Sequence, residues 1–496
     1  MKQVTSVFWI SLAITILMIF SGSILPQVLE EVTSNIQSFI SINFGWYYLL
    51  IVTVFVIFCI YLIVSPYGKM KLGKPGEKPD FSYATWFAML FSAGMGIGLV
   101  FYGAAAPLQQ YIVNPPYAEP GSPAALRDAM SITFFHYGIH AWAIYAIVGL
   151  ILAYFKFRRG APGLISATLE PVFGVKMKGP WGAVVDIIAV FATIVGVATT
   201  LGFGAAQING GITYLTGIGE GFGIQLLIIA VVTVLYMISA YTGVSKGIKY
   251  LSNANMGLAV LLFVIMLIIG PTLYIMNMFV DSLGAYVQTL PKESLRIAPN
   301  NEERQEWVEN WTVFFWAWWI AWSPFVGIFI ARISRGRSIR EFISGVLLVP
   351  SLISFLWFSA FGSTAISIQD AGIDLASLAP EQMLFGLFDQ FPFSTLLSLI
   401  AMTLIATFFI TSADSATFVL GMQTTNGSLD PNRSVKFAWG IAQSSTAAVL
   451  LYTGGLQALQ NALISAAFPF SIIMLLMMYS FNKALKVDKK ALETKK

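Results

Sequence analysis

The stretch Phe314-Phe315-Trp316-Ala317-Trp318-Trp319-Ile320-Ala321-Trp322-Ser323-Pro324-Phe325 carries four of the chain's thirteen tryptophans within seven residues. Read as a helix, it sets Phe314, Trp318, Trp322 and Phe325 on one face, with Trp319 beside them. Helices that pack tightly inside a membrane do so through small residues. A wall of indoles instead holds its neighbours apart and leaves room between them. Aromatic faces suit a cation that has no N–H to donate, such as a quaternary ammonium. The competing reading is a belt of tryptophans at the lipid headgroups. The length of the stripe and the Ser323-Pro324 interruption favour the wall.

Outward from this stretch the chain is apolar nearly throughout. Of its 496 residues 57% are hydrophobic and 10% are charged, and the mean hydropathy is +0.76. These values describe an integral membrane protein. A bilayer core of about 30 Å takes about 20 apolar residues per helix. On that rule twelve spans fit, near 6–25, 46–65, 84–104, 133–155, 183–208, 224–242, 254–281, 309–333, 342–362, 394–424, 434–453 and 459–481. The run after Met1 is long and has no small-residue cleavage pattern, so it reads as a span and not as a removed signal. Basic residues gather on cytoplasmic loops. With the N-terminus inside, 24 of the 28 Lys and Arg fall in cytoplasmic segments, and only Arg127, Lys292, Arg296 and Arg304 lie outside. Both termini are therefore expected in the cytoplasm.

Several classes drop out. Cys59 is the single cysteine, and two histidines, His136 and His140, are too few for most metal centres. No zinc-protease, nucleophile-elbow or phosphate-loop motif is present, so neither an enzyme nor an ATP-driven pump is expected, and no cofactor. The net charge of +4 singles out no partner, and no nucleic-acid partner is expected. The longest polar connection, 283–307, is amphipathic with mixed charge and reads as a surface helix on the outer face. The tail after 481 is short and basic, suited to reinforcing topology or to meeting anionic lipid.

Two spans look interrupted. Gly94, Gly96 and Gly98 alternate in the third, weakening the helix by roughly 1 kcal/mol each relative to Ala. An unwound segment at mid-membrane is tolerated where it lines a polar cavity, offering carbonyls to a cation and a helix N-terminus to a carboxylate. The eighth span has its Ser-Pro break. Third and eighth are five apart, the spacing of two inverted five-helix repeats, 3–7 and 8–12, behind two leading helices. In the fourth span Tyr137, Trp142 and Tyr145 recur near helical spacing and are able to close an aromatic cage with the tryptophan stripe. In the tenth, Thr411 and Ser412 beside Asp414 are oxygen donors of the kind Na⁺ takes. The competing reading bonds both hydroxyls back to their own helix and pairs Asp414 with an Arg. Thr193 is a weaker second candidate.

Together GMGIGLVFYG (94–103), HYGIHAWAIY (136–145), WAWWIAWSPFVGIFIARISRGRSIREF (316–342) and TSADSATFVLG (411–421) resemble the betaine–choline–carnitine transporters. The likeness is greatest to the sodium-coupled glycine betaine transporters of Gram-positive bacteria and covers nearly the whole chain. It implies an all-α, LeuT-like core of two inverted repeats with Na⁺ as the coupling ion. The units would be 1–83 for the two leading helices, 84–282 and 308–481 for the repeats, 283–307 for the outer connection and 482–496 for the tail. The family also implies a cell-membrane location, contact with lipid, often a homotrimer, and import of a small zwitterionic osmoprotectant. Carried over by motif, Tyr137, Trp142, Tyr145 and Trp319 form the substrate box, and Trp318, Trp322 and Phe314 line the cytoplasmic pathway. Ser92, Met95, Phe408, Thr411 and Ser412 hold one sodium, and Thr193 with Phe325 a second. Three positions depart from the pattern. Tyr137 stands where betaine members carry Trp, Ala106 where many carry Glu, and Val197 where some carry a second Thr. The first two leave open a different substrate, such as taurine, choline, carnitine or proline. Proton coupling through His136 or Asp414 is a rival within the class. A channel or osmosensor is the rival outside it.

Overall fold

The computed structural model describes residues 4–94, 96–242 and 245–493. Helices α1 (Ser6–Ile24) and α2 (Pro26–Val64) lead the chain. The third span is two helices, α3 (Tyr83–Gly94) and α4 (Ile97–Leu108), the second running on through a π turn to Val113. The fourth is also two, α5 (Pro123–Tyr137) and α6 (Ile139–Ala153). After the short α7 (Glu170–Phe173) come α8 (Pro180–Thr216), α9 (Phe222–Thr242) and α10 (Ser245–Ile269). Helices α11 (Thr272–Ser294) and α12 (Glu302–Val308) lead into α13 (Phe314–Ile333). The last four are α14 (Ile339–Asp370), α15 (Met383–Phe388), α16 (Ser394–Thr424) and α17 (Arg433–Glu493). Among the described residues there is no strand, only one isolated bridge between Lys71 and Ser338.

Among the described residues, ten continuous helical runs are long and apolar enough to cross a membrane, and joining α3 to α4 across their 66° bend gives eleven. The longest run is 58 residues, and as one straight helix it would measure about 87 Å. It is two helices joined at a kink, where Gly454 (φ −160°) and Gly455 (φ 62°) leave helical geometry. The positive φ is open to glycine at little cost.

Several expected boundaries move. The second span was expected over 46–65, but α2 begins at Pro26. The seventh span was expected over 254–281, but α10 ends at Ile269 before Gly270-Pro271, and residues 272–281 belong to α11. The fourth span begins at Pro123, not near 133, and is broken at Gly138.

Burial sorts the helices into a centre and a rim. The most apolar stretches of the runs 123–158 and 302–333 are largely buried, whereas those of α1 and α9 bury little. Leu17, Phe20, Leu227 and Ile268 are exposed apolar side chains, as a lipid-facing rim requires. The central pair crosses closely: a Cβ on Gly327 of α13 would lie 2.7 Å from Val148 Cγ1 and 3.0 Å from the Gly149 nitrogen of α6. Charges segregate to the two ends. At one, Arg335 meets Glu77 at 2.6 Å, Arg158 and Arg159 meet Asp488 at 3.2 and 2.7 Å, and Arg337 lies over Tyr83 and Trp86. At the other, Arg296 pairs with Glu293 and Arg127 with Asp281.

Gly327→Val forces α13 off α6 and is expected to cost about 1–3 kcal/mol of packing, read as a lower unfolding midpoint of the purified protein in detergent. Gly257→Val, where a Cβ meets nothing within 4 Å, is expected to leave the midpoint unchanged.

Candidate functional site

A cavity of about 170 Å³ lies between α4, α6, α10, α13 and α16. Trp318, Trp319, Trp322 and Phe325 of α13 form one wall, and Tyr137, Trp142 and Tyr145 form another. The rings pack face on and edge on. Trp318 and Trp319 stack at 5.4 Å and 11°. Tyr137 and Tyr145 meet Trp319 edgewise at 5.3 and 6.1 Å, and Trp142 meets Tyr145 at 5.3 Å.

Each indole N–H of the α13 wall is used by the protein. Trp318 Nε1 donates to Thr200 Oγ1 (3.1 Å), Trp319 Nε1 to the His136 carbonyl (2.9 Å) and Trp322 Nε1 to the Gly196 carbonyl (2.8 Å). What remains toward the cavity is ring. The headgroup-belt reading fails here, because Trp316 and Trp318 are each 1% exposed.

The break at Gly138 supplies one of these acceptors. The last carbonyls of a helix have no partner within it, nor do the first N–H groups of the next. The His136 carbonyl, at the end of α5, receives Trp319. The Ile139 N–H, at the head of α6, donates to Tyr286 Oη of α11 (3.1 Å). A Cβ on Gly138 would sit 2.5 Å from the Phe134 oxygen and 2.8 Å from Tyr286 Oη, so only glycine fits.

The wall is sealed at one end and open at the other. Phe314 and Phe315 are 2% and 0% exposed, whereas Phe329, further along α13, is 37% exposed and lines the cavity mouth. Phe314 is therefore misplaced in the sequence reading. It faces Phe203 and Trp318 at the sealed end, outside the cavity. About four helical turns separate it from Phe329 at the open end, because α13 runs from sealed to open.

The glycine segment is interrupted over a shorter length than expected. Gly94 closes α3, Gly96 is extended (φ −163°, ψ 178°), and Gly98 lies inside α4. Met95 is outside the described residues. Gly98 serves close packing: its Cβ would lie 3.1 Å from Trp318 Cη2. Gly96, Ile97 and Gly98 line the cavity, so the head of α4 and its unpaired N–H groups face it.

Of the expected sodium residues, Ser92, Phe408, Thr411 and Ser412 line the cavity together. Thr411 Oγ1 donates back to the Thr407 or Phe408 carbonyl (3.0 and 3.2 Å) and accepts from Asn255 Nδ2 (3.0 Å). Of the second pair, Thr193 and Phe325, only Phe325 lines the cavity. Thr193 is fully buried and donates to the Ala189 carbonyl of its own helix at 2.7 Å. Ala106 and Val197 are buried away from the cavity. Asp414 accepts from Ser239 (2.9 Å) in a neighbouring cleft with Arg332 and Lys436. His136 and His140 lie behind the box, His136 on Thr312 and His140 on Ser294.

Sequence reasoning missed Ser252 and Asn255 at the cavity, and the Gly138 break. The polar group Ser252-Asn253-Ala254-Asn255 inside an apolar run was the available signal.

A bundle of apolar helices around a small aromatic-walled cavity is the architecture of a membrane transporter. Residues 6–490 match the family described as betaine/carnitine/choline family transporter. The glycine betaine transporter OpuD of Bacillus subtilis is 58% identical over 494 residues, 99% of this chain and 96% of that one. An ectoine/hydroxyectoine transporter of Virgibacillus pantothenticus is 44% identical over 497 residues, 99% of this chain and 98% of that one. A solved Na⁺-coupled sialic acid symporter, substrate-bound and outward-open, aligns with TM-score 0.49 and 15% identity over 88% of this chain and 87% of that one. At that score the likeness carries no weight for this fold. The chain belongs to the betaine/carnitine/choline transporter family.

Gly98→Ala presses a methyl against Trp318. The expected outcome is a changed near-ultraviolet circular dichroism spectrum and a roughly three- to tenfold weaker apparent affinity for the transported solute, about the worth of one displaced aromatic contact.

Proposed function

We propose that the protein is a Na⁺-coupled symporter that imports glycine betaine, or a closely similar zwitterion, by alternating access. The observation that carries this reading is the direction of the indoles: their N–H groups are consumed by Thr200, His136 and Gly196, and their faces are left to the cavity. A quaternary ammonium cannot donate a hydrogen bond, so it is held by ring faces, each worth about 0.5–2 kcal/mol. The head of α4 offers N–H groups and the positive end of a helix dipole to the substrate carboxylate. Sodium would sit on Ser92, Thr411 and Ser412 with the Phe408 and Met95 carbonyls. By holding α16 against the end of α3, it favours the substrate-binding state, and the coupling is reciprocal. The 58% identical relative is named as a glycine betaine transporter, which fits.

In this reading the kinked α17 is two spans, giving twelve, and α3–α10 and α12–α17 are the inverted repeats. The basic end is cytoplasmic with both termini, so the cavity mouth opens to the cytoplasm of a cell-membrane protein, in the family's manner a homotrimer. A second substrate class has one observation in its favour. Tyr137 Oη, where betaine members carry an indole, donates to the Gly98 carbonyl at 3.3 Å, so the cage has a phenol in place of one indole. Neither His136 nor Asp414 lines the cavity, which favours sodium over a proton.

The test is uptake of labelled glycine betaine into proteoliposomes, with choline, carnitine, proline, taurine and ectoine as competitors. Saturable, sodium-dependent betaine uptake is expected, with weak competition by taurine. Transport of taurine or ectoine without betaine would replace the substrate. Uptake that ignores sodium and collapses with the pH gradient would replace the coupling ion. A unitary conductance without saturable uptake would make the protein a channel.

Thr411→Ala combined with Ser412→Ala is expected to remove sodium dependence in the same assay. Trp319→Ala is expected to weaken betaine about tenfold at saturating sodium.

A further inference from the structure

Helix α10 faces lipid along much of its length, with Leu261, Val264 and Ile268 exposed. An amide contributes nothing to such a surface, and burying one without partners costs about 1–3 kcal/mol. Yet Asn255 of α10 is 4% exposed and lines the cavity.

Its orientation follows from its neighbour. The Thr411 hydroxyl hydrogen is directed at the Thr407 or Phe408 carbonyl, so toward Asn255 that oxygen can only accept. The nitrogen of the amide must face it, as the 3.0 Å Nδ2 contact has it. The amide oxygen is then turned away, and Asn255 Oδ1 is buried without a donor.

An orphan acceptor in a cavity wall wants a donor or a cation. A betaine-like substrate supplies neither at this place: its ammonium has no N–H and its carboxylate only accepts. A small cation beside Thr411 and Ser412 does supply it. An uncharged amide oxygen is a hard donor of the kind that binds such ions.

We propose that Asn255 is a further ligand of the coupling sodium, contributed by α10. The amide works from both ends. Nδ2 occupies one lone pair of Thr411 Oγ1 and leaves the other for the ion. Oδ1 meets the same ion directly. Sodium thereby ties α10 to α16, in addition to the tie between α16 and α3, and Ser252, one turn earlier on α10, lies on the same cavity wall. The inference rests on the sodium-coupled reading above.

The experiment uses the full chain with Asn255→Leu and Asn255→Asp. Two quantities are measured: half-saturating sodium for betaine uptake in proteoliposomes, and thermal stabilisation of the purified protein by sodium alone. Asn255→Leu is expected to raise half-saturating sodium about tenfold or more, the scale of one lost contact to a charge, and to shrink the sodium-induced thermal shift. Betaine affinity at saturating sodium is expected to stay within about twofold of wild type, well below the worth of one cation–π contact. Asn255→Asp keeps an oxygen at the place and is expected to bind sodium at least as well as the Leu variant, with a thermal shift closer to wild type. Wild-type sodium dependence in Asn255→Leu, together with an unchanged thermal shift, overturns the assignment of Asn255 alone. If Asn255→Leu does not fold, Asn255→Ala, which also removes the amide oxygen, decides by the same two measurements. A wild-type protein with neither sodium-dependent uptake nor a sodium shift overturns the coupling reading, and Asn255 with it.

Discussion

A buried indole N–H is costly to leave without an acceptor, and those of Trp318, Trp319 and Trp322 each end on one supplied by the protein. That demand organises the centre of the molecule. Three adjacent tryptophans of α13 need three acceptors, and these come from two other elements. Thr200 and Gly196 lie one turn apart on α8, and the His136 carbonyl comes free where α5 stops. The Gly138 interruption is thus tied to the position of Trp319. Its opposite edge is closed by Tyr286, which accepts from the Ile139 N–H. Helix ends that are costly in lipid become useful once a neighbour's side chain completes them.

The same economy holds around the rest of the cavity. Both broken spans, α3 with α4 and α5 with α6, meet there, each presenting backbone groups that an unbroken helix would consume. Along α13 the surroundings grade from a dry stack of Phe314, Phe315 and Phe203 to the exposed Phe329. For the alternating access proposed above, that stack would have to repack while the box itself stays intact.

Much of this was legible in the sequence. Composition and the distribution of Lys and Arg gave an all-helical membrane protein, and the tryptophan stripe gave the wall. Tyr137, Trp142, Tyr145, Trp318, Trp319, Trp322, Thr411 and Ser412 all line one cavity, because i, i+3 and i, i+4 spacing maps onto helix faces directly. The failures have physical reasons. Phe314 shares a face with Trp318, but a face says nothing about depth along the axis. Gly98 looked like part of an unwound stretch, yet glycine serves close approach equally well, and here the ring of Trp318 needs the space. Asn255 was passed over because its importance lies in a contact with Thr411, 156 residues away. The end of α10 was missed because Gly270-Pro271 interrupts a run whose hydropathy continues beyond it.

Two of the three indole acceptors are main-chain oxygens, at His136 and Gly196. Every residue type carries one, so mutation at position 136 leaves its acceptor in place. Only Thr200 contributes a side chain. The binding chamber is therefore buffered against drift in its supporting shell: genetic change there is filtered by size far more than by chemical type. The side chains behind the tryptophans can thus change while the tryptophans keep their aim.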